Sequence, residues 1–219
     1  MTKRNLHSIS ENAPFFSIII TTYNRSALLL RALKSLLIQI ETSWEAIIID
    51  DGSTDNTEQA IQLLIADKPQ IRFIKKHHCG TVDSVNLALS FTTGKYITFL
   101  DSDDEYEPNH LSSRRSILED HPLAEFLHGG VRIIGKQDVP DRFNPQKRIP
   151  LTECVIGGTF FIQSGLLKKV GLFKNIPLGS DANFFDRVQE AKAKIIKTTI
   201  PSYIYHHETQ DSITNSFSN

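Results

Sequence analysis

The segment WEAIIIDDGSTDN, Trp44 to Asn56, decides the fold. It opens on a short apolar run rich in β-branched residues, the signature of a strand covered on both faces. The run stops at Asp50, Asp51, Gly52 and Ser53, residue types that form turns. Asp55 with Glu58 three residues on has the spacing of a capping box. Ile61, Leu64 and Ile65 then fall on one face of a helix. The segment therefore reads as strand, polar turn, helix.

The same unit repeats on both sides. FSIII (Phe16 to Ile20) leads through TTYNRS into ALLLRALKSLLIQ, with Leu29, Leu33, Leu36 and Leu37 at helical spacing. IRFI (Ile71 to Ile74) precedes a helix over TVDSVNLALSFT that stops near Gly94. KYITFL runs into DSDDEYEP, where Pro108 suits the first turn of a helix to about Glu119. Four alternations predict an α/β fold with a mainly parallel, doubly wound sheet of the Rossmann type. Ligands of such sheets bind outside the carboxyl ends of the strands. TTYN, DDGS and DSDD all lie at predicted strand ends, so the fold would bring them to one crevice.

The second half is read as mixed α/β. AEFLHGGVRIIG predicts two short strands around a Gly-Gly turn, and Lys136 to Pro150, with three prolines, predicts a long irregular loop that binds or covers. VIGGTFFI is strand-like, SGLLKKVG is a short helix closed by Gly171, and SDANFFDRVQEAKA is a helix with Ser180 or Asp181 near its N-cap. KIIKTTIPSYIY predicts a late strand pair. We read one domain over residues 1–219, with halves at about 16–106 and 107–205 and flexible tails at 1–14 and 207–219.

Composition narrows the function. The 219 residues are 40% hydrophobic and 22% charged, an ordinary globular balance. A formal charge of −1 gives no field directed at nucleic acid, and Lys75-Lys76-His77-His78 is too short to change that. Cys79 and Cys154 form no CxxC pair and suggest reduced thiols in a cytoplasmic protein. The N-terminus has no apolar signal region, and no apolar run approaches the ~18 residues that predict a membrane span. Peripheral contact with a membrane is left open.

The two acidic clusters carry the chemistry. Asp101, Asp103, Asp104 and Glu105 place four like charges within five residues. An EF-hand loop is excluded, because its glycine and glutamate positions fall on Tyr106 and Ser112. A solvated turn capping the next helix remains one reading. The other is a hard cation, commonly held by one or two carboxylates plus substrate phosphates. Asp101 and Asp103, two residues apart on an extended segment, point to the same side. At DDGS, an ionised carboxylate accepts and cannot donate, so it suits a base N–H or a ribose hydroxyl. Gly52 beside it lets a ligand approach the backbone. No GxxxxGK[ST] or GxGxxG occurs, so phosphate charge must be met another way.

FSIIITTYNR, WEAIIIDDGSTDNT, GKYITFLDSDDEYEPNHL, KKVGLFKN and GSDANFFDR resemble, in order, the blocks of a family 2 glycosyltransferase. The resemblance runs from about Phe16 to about Tyr205, and it implies the GT-A fold. It implies that Thr21, Thr22 and Tyr23 line base and ribose, with Tyr23 stacking on the base. Asp51 would meet the base edge, Asp50 would support that turn, and Gly80 would lie near the nucleotide. DSD matches the family's DXD motif: Asp103 would ligate Mn²⁺ or Mg²⁺, with Asp101 towards the ribose or the metal shell and Asp104 as a further contributor. Asp181 falls on the acid of the family's ED motif, the general base of inverting members. His206 or His207 lies where some members place a late histidine near metal or diphosphate; we assign His207 to the metal set.

Four departures stand out. Thr21 replaces a usual proline. Val85 stands where many members have an arginine before the asparagine matched by Asn86, so Lys75, Lys76 or His78 would substitute, or donor binding would weaken. Ser180 replaces the glutamate of ED. The chain also ends soon after the core, so no long C-terminal acceptor module is expected. The resemblance implies metal-dependent, inverting transfer from a nucleotide-diphospho-sugar, UDP-linked by preference. The acceptor would be a hydroxyl of a sugar, a lipid-linked sugar or a glycoconjugate, in bacterial-type surface polysaccharide or glycoconjugate synthesis. Its place would be cytoplasmic, including the inner face of the membrane. The alternative is a nucleotide-sugar-binding module without transfer. A nucleotidyltransferase is disfavoured, because TTYNRS lacks the Gly-rich loop.

Overall fold

The computed structural model describes residues 13–208. Strands β1 (Phe16–Thr22), β2 (Trp44–Asp50), β3 (Ile71–Lys75) and β4 (Tyr96–Phe99) alternate with helices α1 (Ser26–Leu37), α2 (Thr57–Ile65) and α3 (Thr81–Leu89). There follow β5 (Glu105–Tyr106), α4 (His110–Asp120), β6 (Phe126–His128), β7 (Val131–Gly135), β8 (Asp138–Pro140) and β9 (Arg148–Pro150). The chain continues with β10 (Phe161–Gln163), α5 (Leu167–Val170), α6 (Ser180–Glu190), β11 (Ile195–Lys197) and β12 (Tyr203–His207).

A seven-stranded sheet has the order β11-β6-β10-β4-β1-β2-β3, with β3 and β11 at its two edges. Only β10 runs antiparallel to its neighbours β4 and β6. Successive residues of β1 serve opposite faces, as the two-residue strand period demands. Ile18 and Ile20 pack with Leu29, Leu33 and Leu36 of α1 and Leu111 of α4. Ile19 packs with Ala88 of α3 and with Phe184 and Val188 of α6. Burial on both faces is why these strands are continuously apolar.

A three-stranded sheet, β5-β12-β7, sits beside the first. The Gly-Gly turn is therefore not a hairpin: β6 belongs to the large sheet, and β7 pairs with β12. Gly129 (φ +90°) and Gly130 (φ +76°) let the chain switch sheets. Buried Arg114 fixes the switch by donating to the carbonyls of Gly129, Gly130 and Ile200 and to Ser202 Oγ.

The predicted irregular loop at Lys136 to Pro150 contains a hairpin instead, β8 paired with β9. Val139 faces Ile149 across it, and Val139 packs with Leu151 and Ile156 in a small core of its own. The prolines are tolerated because, among the described residues, each strand pairs only with the other. Helix α6 begins at Ser180 with Gly179 as its cap residue, one position before the expected cap. Helix α4 begins at His110, two residues after Pro108. The predicted tails lie outside the described residues except at 13–14 and 207–208, where His207 completes β12.

Candidate functional site

Side chains from three strand ends and from α6 line one cleft of about 1140 Å³. Thr21 and Thr22 end β1 and Tyr23 follows it, Asp51 follows β2, and Asp101 and Asp103 follow β4. Gly80 at the head of α3 and Asp181 on α6 complete the wall. All three clusters read at strand ends thus reach the same space.

The first two loops are bolted together. Asn24 adopts the left-handed conformation (φ +51°), which asparagine tolerates better than most residues. Its Oδ1 accepts the N–H of Thr54 (2.8 Å), and its own N–H donates to Ser53 Oγ (2.8 Å). Asp51 N–H donates to the Thr22 carbonyl (2.9 Å). The Asp51 carboxylate accepts from Lys76 Nζ and from the N–H groups of Cys79 (3.0 Å) and Gly80 (2.8 Å), and His78 Nδ1 lies 2.8 Å from its Oδ2. Burial pushes its pKa up, but Lys76 and the two N–H groups outweigh that and hold it below the usual value. In this arrangement Asp51 gathers the loop after β3 towards the cleft. Tyr23 is 42% exposed and stacks on His78, with ring centroids 4.3 Å apart.

The acidic turn divides into two roles. Asp104 is buried, and its carboxylate accepts from Tyr203 Oη (2.7 Å) and the His206 N–H (2.8 Å). It faces the protein, whereas Asp101 and Asp103 face the cleft. Asp103 pairs with Arg25 Nη1 at 3.0 Å, and its carbonyl accepts from Arg31. Asp101 is pushed up to about 7 by burial, then by the charges of Asp103 and Asp181.

Asp181 stands in the first turn of α6. Its Oδ2 accepts the Gly157 N–H (3.1 Å) and its Oδ1 the Ala182 N–H (2.8 Å). Burial pushes its carboxyl up, against the pull of those N–H groups. Gly157 lies close to this residue, where a Cβ would come 3.1 Å from Asp181 Cβ and press on it. Val85 also lines the cleft, while Asn86 is occupied in a reciprocal pair with the Phe173 backbone (2.9 and 3.0 Å). Of Lys75, Lys76 and His78, only His78 lines the cleft.

Asp50, expected to support the turn, and His207, expected near the metal, both lie outside the cleft. Asp50 is fully buried behind the turn, where its Oδ1 accepts the Ser53 N–H (2.8 Å). It supports the loop and does not line the cleft. His207 is buried on β12 with Nδ1 2.9 Å from the Lys136 carbonyl, and it does not line the cleft either. His206 points to Glu105, with Nε2 2.8 Å from Oε1. Pairing of β12 with β7 ties both histidines into the small sheet, and Tyr205 is the β12 residue that reaches the cleft.

Several cleft residues were not singled out from the sequence. Arg25 ends the TTYNR turn, and its position one strand away from DSD was the available signal. Arg142, Phe143 and Lys147 come from the hairpin connection, which no local pattern assigns to the site.

Among the described residues, no group of three or more His, Cys, Asp or Glu side chains forms a ready metal cage. A hard divalent cation needs fewer, because phosphate oxygens of a substrate complete its shell. Asp101 and Asp103 supply hard carboxylate oxygens to the same wall of the cleft, and no counter-charge other than Arg25 pairs with Asp103 there among the described residues. The residues fit such an ion.

This mainly parallel sheet, with its acidic cleft at the strand ends, is the GT-A glycosyltransferase fold. The TarS 1–349 structure from S. aureus, in complex with UDP-GlcNAc, superposes with a TM-score of 0.74 at 21% identity, covering 90% of this chain and 60% of that one. The mannosyltransferase PcManGT from Pyrobaculum calidifontis, in complex with GDP-Man and Mn²⁺, gives 0.72 at 18% identity, covering 93% and 59%. Residues 17–183 match the profile of glycosyl transferase family 2, and the chain belongs to that family. It is 30% identical over 146 residues to the Escherichia coli UDP-Glc:alpha-D-GlcNAc-diphosphoundecaprenol beta-1,3-glucosyltransferase WfgD, covering 64% of this chain and 56% of that protein. Measured against its curated relatives, the chain spans between 12% and 56% of their length. No helix among the described residues is long and apolar enough to cross a membrane.

Proposed function

We propose that the chain transfers a sugar from a nucleoside-diphospho-sugar, UDP-linked by preference, to an acceptor hydroxyl with inversion. The observation that carries this reading is the meeting of Asp51, Asp101, Asp103 and Asp181 on one cleft. The Thr21-Thr22-Tyr23 turn and Asp51 bind the nucleoside. Asp103 and Asp101 would hold Mn²⁺ or Mg²⁺, which supplies neutralisation of the diphosphate charge. Asp181 accepts the proton of the acceptor hydroxyl as its oxygen attacks the anomeric carbon from the face opposite the diphosphate. The Gly157 and Ala182 N–H groups orient that carboxylate, and burial brings its basicity closer to neutral pH.

The UDP-GlcNAc and GDP-Man of the two similar structures support the donor class, and GDP-Man keeps guanosine as the second base. The product would be a bacterial-type surface polysaccharide or glycoconjugate, made on the cytoplasmic side, with the inner membrane face supplying a lipid-linked acceptor. The chain would act as one domain, with a donor half at 16–106 and an acceptor half at 107–205.

The Arg25–Asp103 ion pair favours a second reading, a binding module whose expected metal ligand is already neutralised. A nucleotide-sugar panel, scored for binding and for donor consumption with and without Mn²⁺, separates the two. Transfer predicts metal-dependent consumption that Asp103→Ala abolishes. Asp181→Asn should lower turnover by roughly 10²- to 10⁴-fold while leaving donor affinity in place. Metal-dependent binding with no donor consumed by the wild-type chain establishes the module instead.

A further inference from the structure

Phe143 is 84% exposed, yet it lines the cleft. An aromatic ring this bare beside a cleft has an energetic cost that a ligand can remove. The ring is also held in place. The Arg142 guanidinium lies 4.6 Å from its centroid, and Arg142 Nη2 pairs with Asp186 Oδ2 at 2.8 Å. Asp186 stands on α6, the helix that carries Asp181. The Arg142 stem packs on Gly179 (φ +78°), where a Cβ would come within 3.3 Å of both Cβ and Cδ of Arg142. Asp141 Oδ1 accepts the Phe143 N–H (2.8 Å) and closes the turn. The tip of the β8–β9 hairpin is thus fastened to the element that bears the base.

We propose that Phe143 is the platform on which the acceptor sugar lies, with Arg142 as the residue that positions it. This rests on the glycosyl-transfer reading. A pyranose ring has one face of axial C–H groups, apolar enough to lie flat on an aromatic ring, while its hydroxyls project at the rim. A ring held beside the Asp181 helix turns one of those hydroxyls towards the carboxylate. The donor-binding residues Tyr23, Asp51, Asp101 and Asp103 come from other elements, so this platform serves the acceptor alone. A membrane surface is a weaker fit for the exposed aromatic, because the carboxylates of Asp141 and Asp186 stand at the same turn.

The test is saturation-transfer NMR with a panel of methyl pyranosides, in the presence of UDP and Mn²⁺, on the wild-type chain and on F143A, F143W, R142A and R142K. Phe143 is exposed, so its replacement should leave folding intact. At least one pyranoside should show saturation concentrated on its axial C–H protons. F143A should weaken its binding roughly two- to tenfold, the range for one aromatic face, and F143W should retain it. R142A should weaken the same pyranoside, with R142K restoring part of the loss. UDP affinity should stay unchanged in all four variants. Equal saturation in wild type and F143A overturns the proposal, and so does a panel with no saturated member. A parallel loss of UDP affinity also overturns it, because the ring would then serve the donor. Phe143-dependent sedimentation with phosphatidylglycerol vesicles, without pyranoside binding, assigns the ring to a membrane and overturns it as well. Failure of every variant and the wild type to bind UDP would count against the transfer reading itself, which distinguishes the two.

Discussion

Tyr203 sets the acidic turn from below. Its hydroxyl donates to Asp104 at 2.7 Å and lies 3.5 Å from the Asp101 carboxylate. Asp104 is pushed well up by burial and then by its acidic neighbours, so it needs that donor. Tyr203→Phe should cost about 2 kcal/mol, within the range for a buried acceptor left without its donor. A lower urea midpoint with unchanged slope would register it, and a midpoint equal to wild type would refute the role. At this scale the acids were legible in the sequence, because an acid at a strand end is a local pattern. What each acid touches was not. Asp51 meets Gly80, and Asp103 meets Arg25, only because separate loops fold against one another. His207 matched a family position, but its side chain is fixed by strand pairing that spacing cannot show.

Among the elements, the switch between the two sheets is tightly enclosed. A Cβ on Gly130 would lie 2.1 Å from the Ile200 carbonyl and 2.6 Å from Arg114 Nη2, at a φ of +76°. Gly130→Ala should therefore destabilise by roughly 2–4 kcal/mol, combining backbone strain with the displaced contact. Differential scanning calorimetry would show it as a lower Tm, and an unchanged Tm would mean that the turn relaxes freely. The first four strands and three helices were readable because buried β-branched runs and amphipathic spacing are local signals. The β8–β9 hairpin was not. Its prolines and charges resemble a loop, and the strands exist because Val139 and Ile149 meet across the turn, with Val139 covering Leu151 and Ile156. The Gly-Gly turn misleads in the same way, since only the distant β12 shows which sheet β7 joins.

Across the whole molecule, His128 links stability to pH. It lies against Phe126 and Phe185, and burial, then the Lys197 charge, lower its pKa to about 4. An unfolded histidine titrates near 6.5 (about the free value), so the unfolded chain binds the proton first. Stability from this group is complete above that pH and is lost as pH falls towards 4. The wild type should lose about 3 kcal/mol relative to His128→Phe between those limits, read from urea midpoints as pH is lowered. A gap between the two proteins that does not change with pH would remove the histidine from the account. The two open borders of the seven-stranded sheet have a consequence of another kind. Arg72 and Lys75 lie on β3, and Lys197 lies on β11. Unpaired strand borders invite another chain to add on, and basic side chains discourage it. Lys75→Val, whose ion pairs to Asp50 and Glu58 are long (3.9 and 3.8 Å), should leave the fold intact and raise light scattering at high concentration. A clear solution would show that other surfaces keep copies apart. Residues far from any substrate would then set how crowded the solution can become before the chain precipitates.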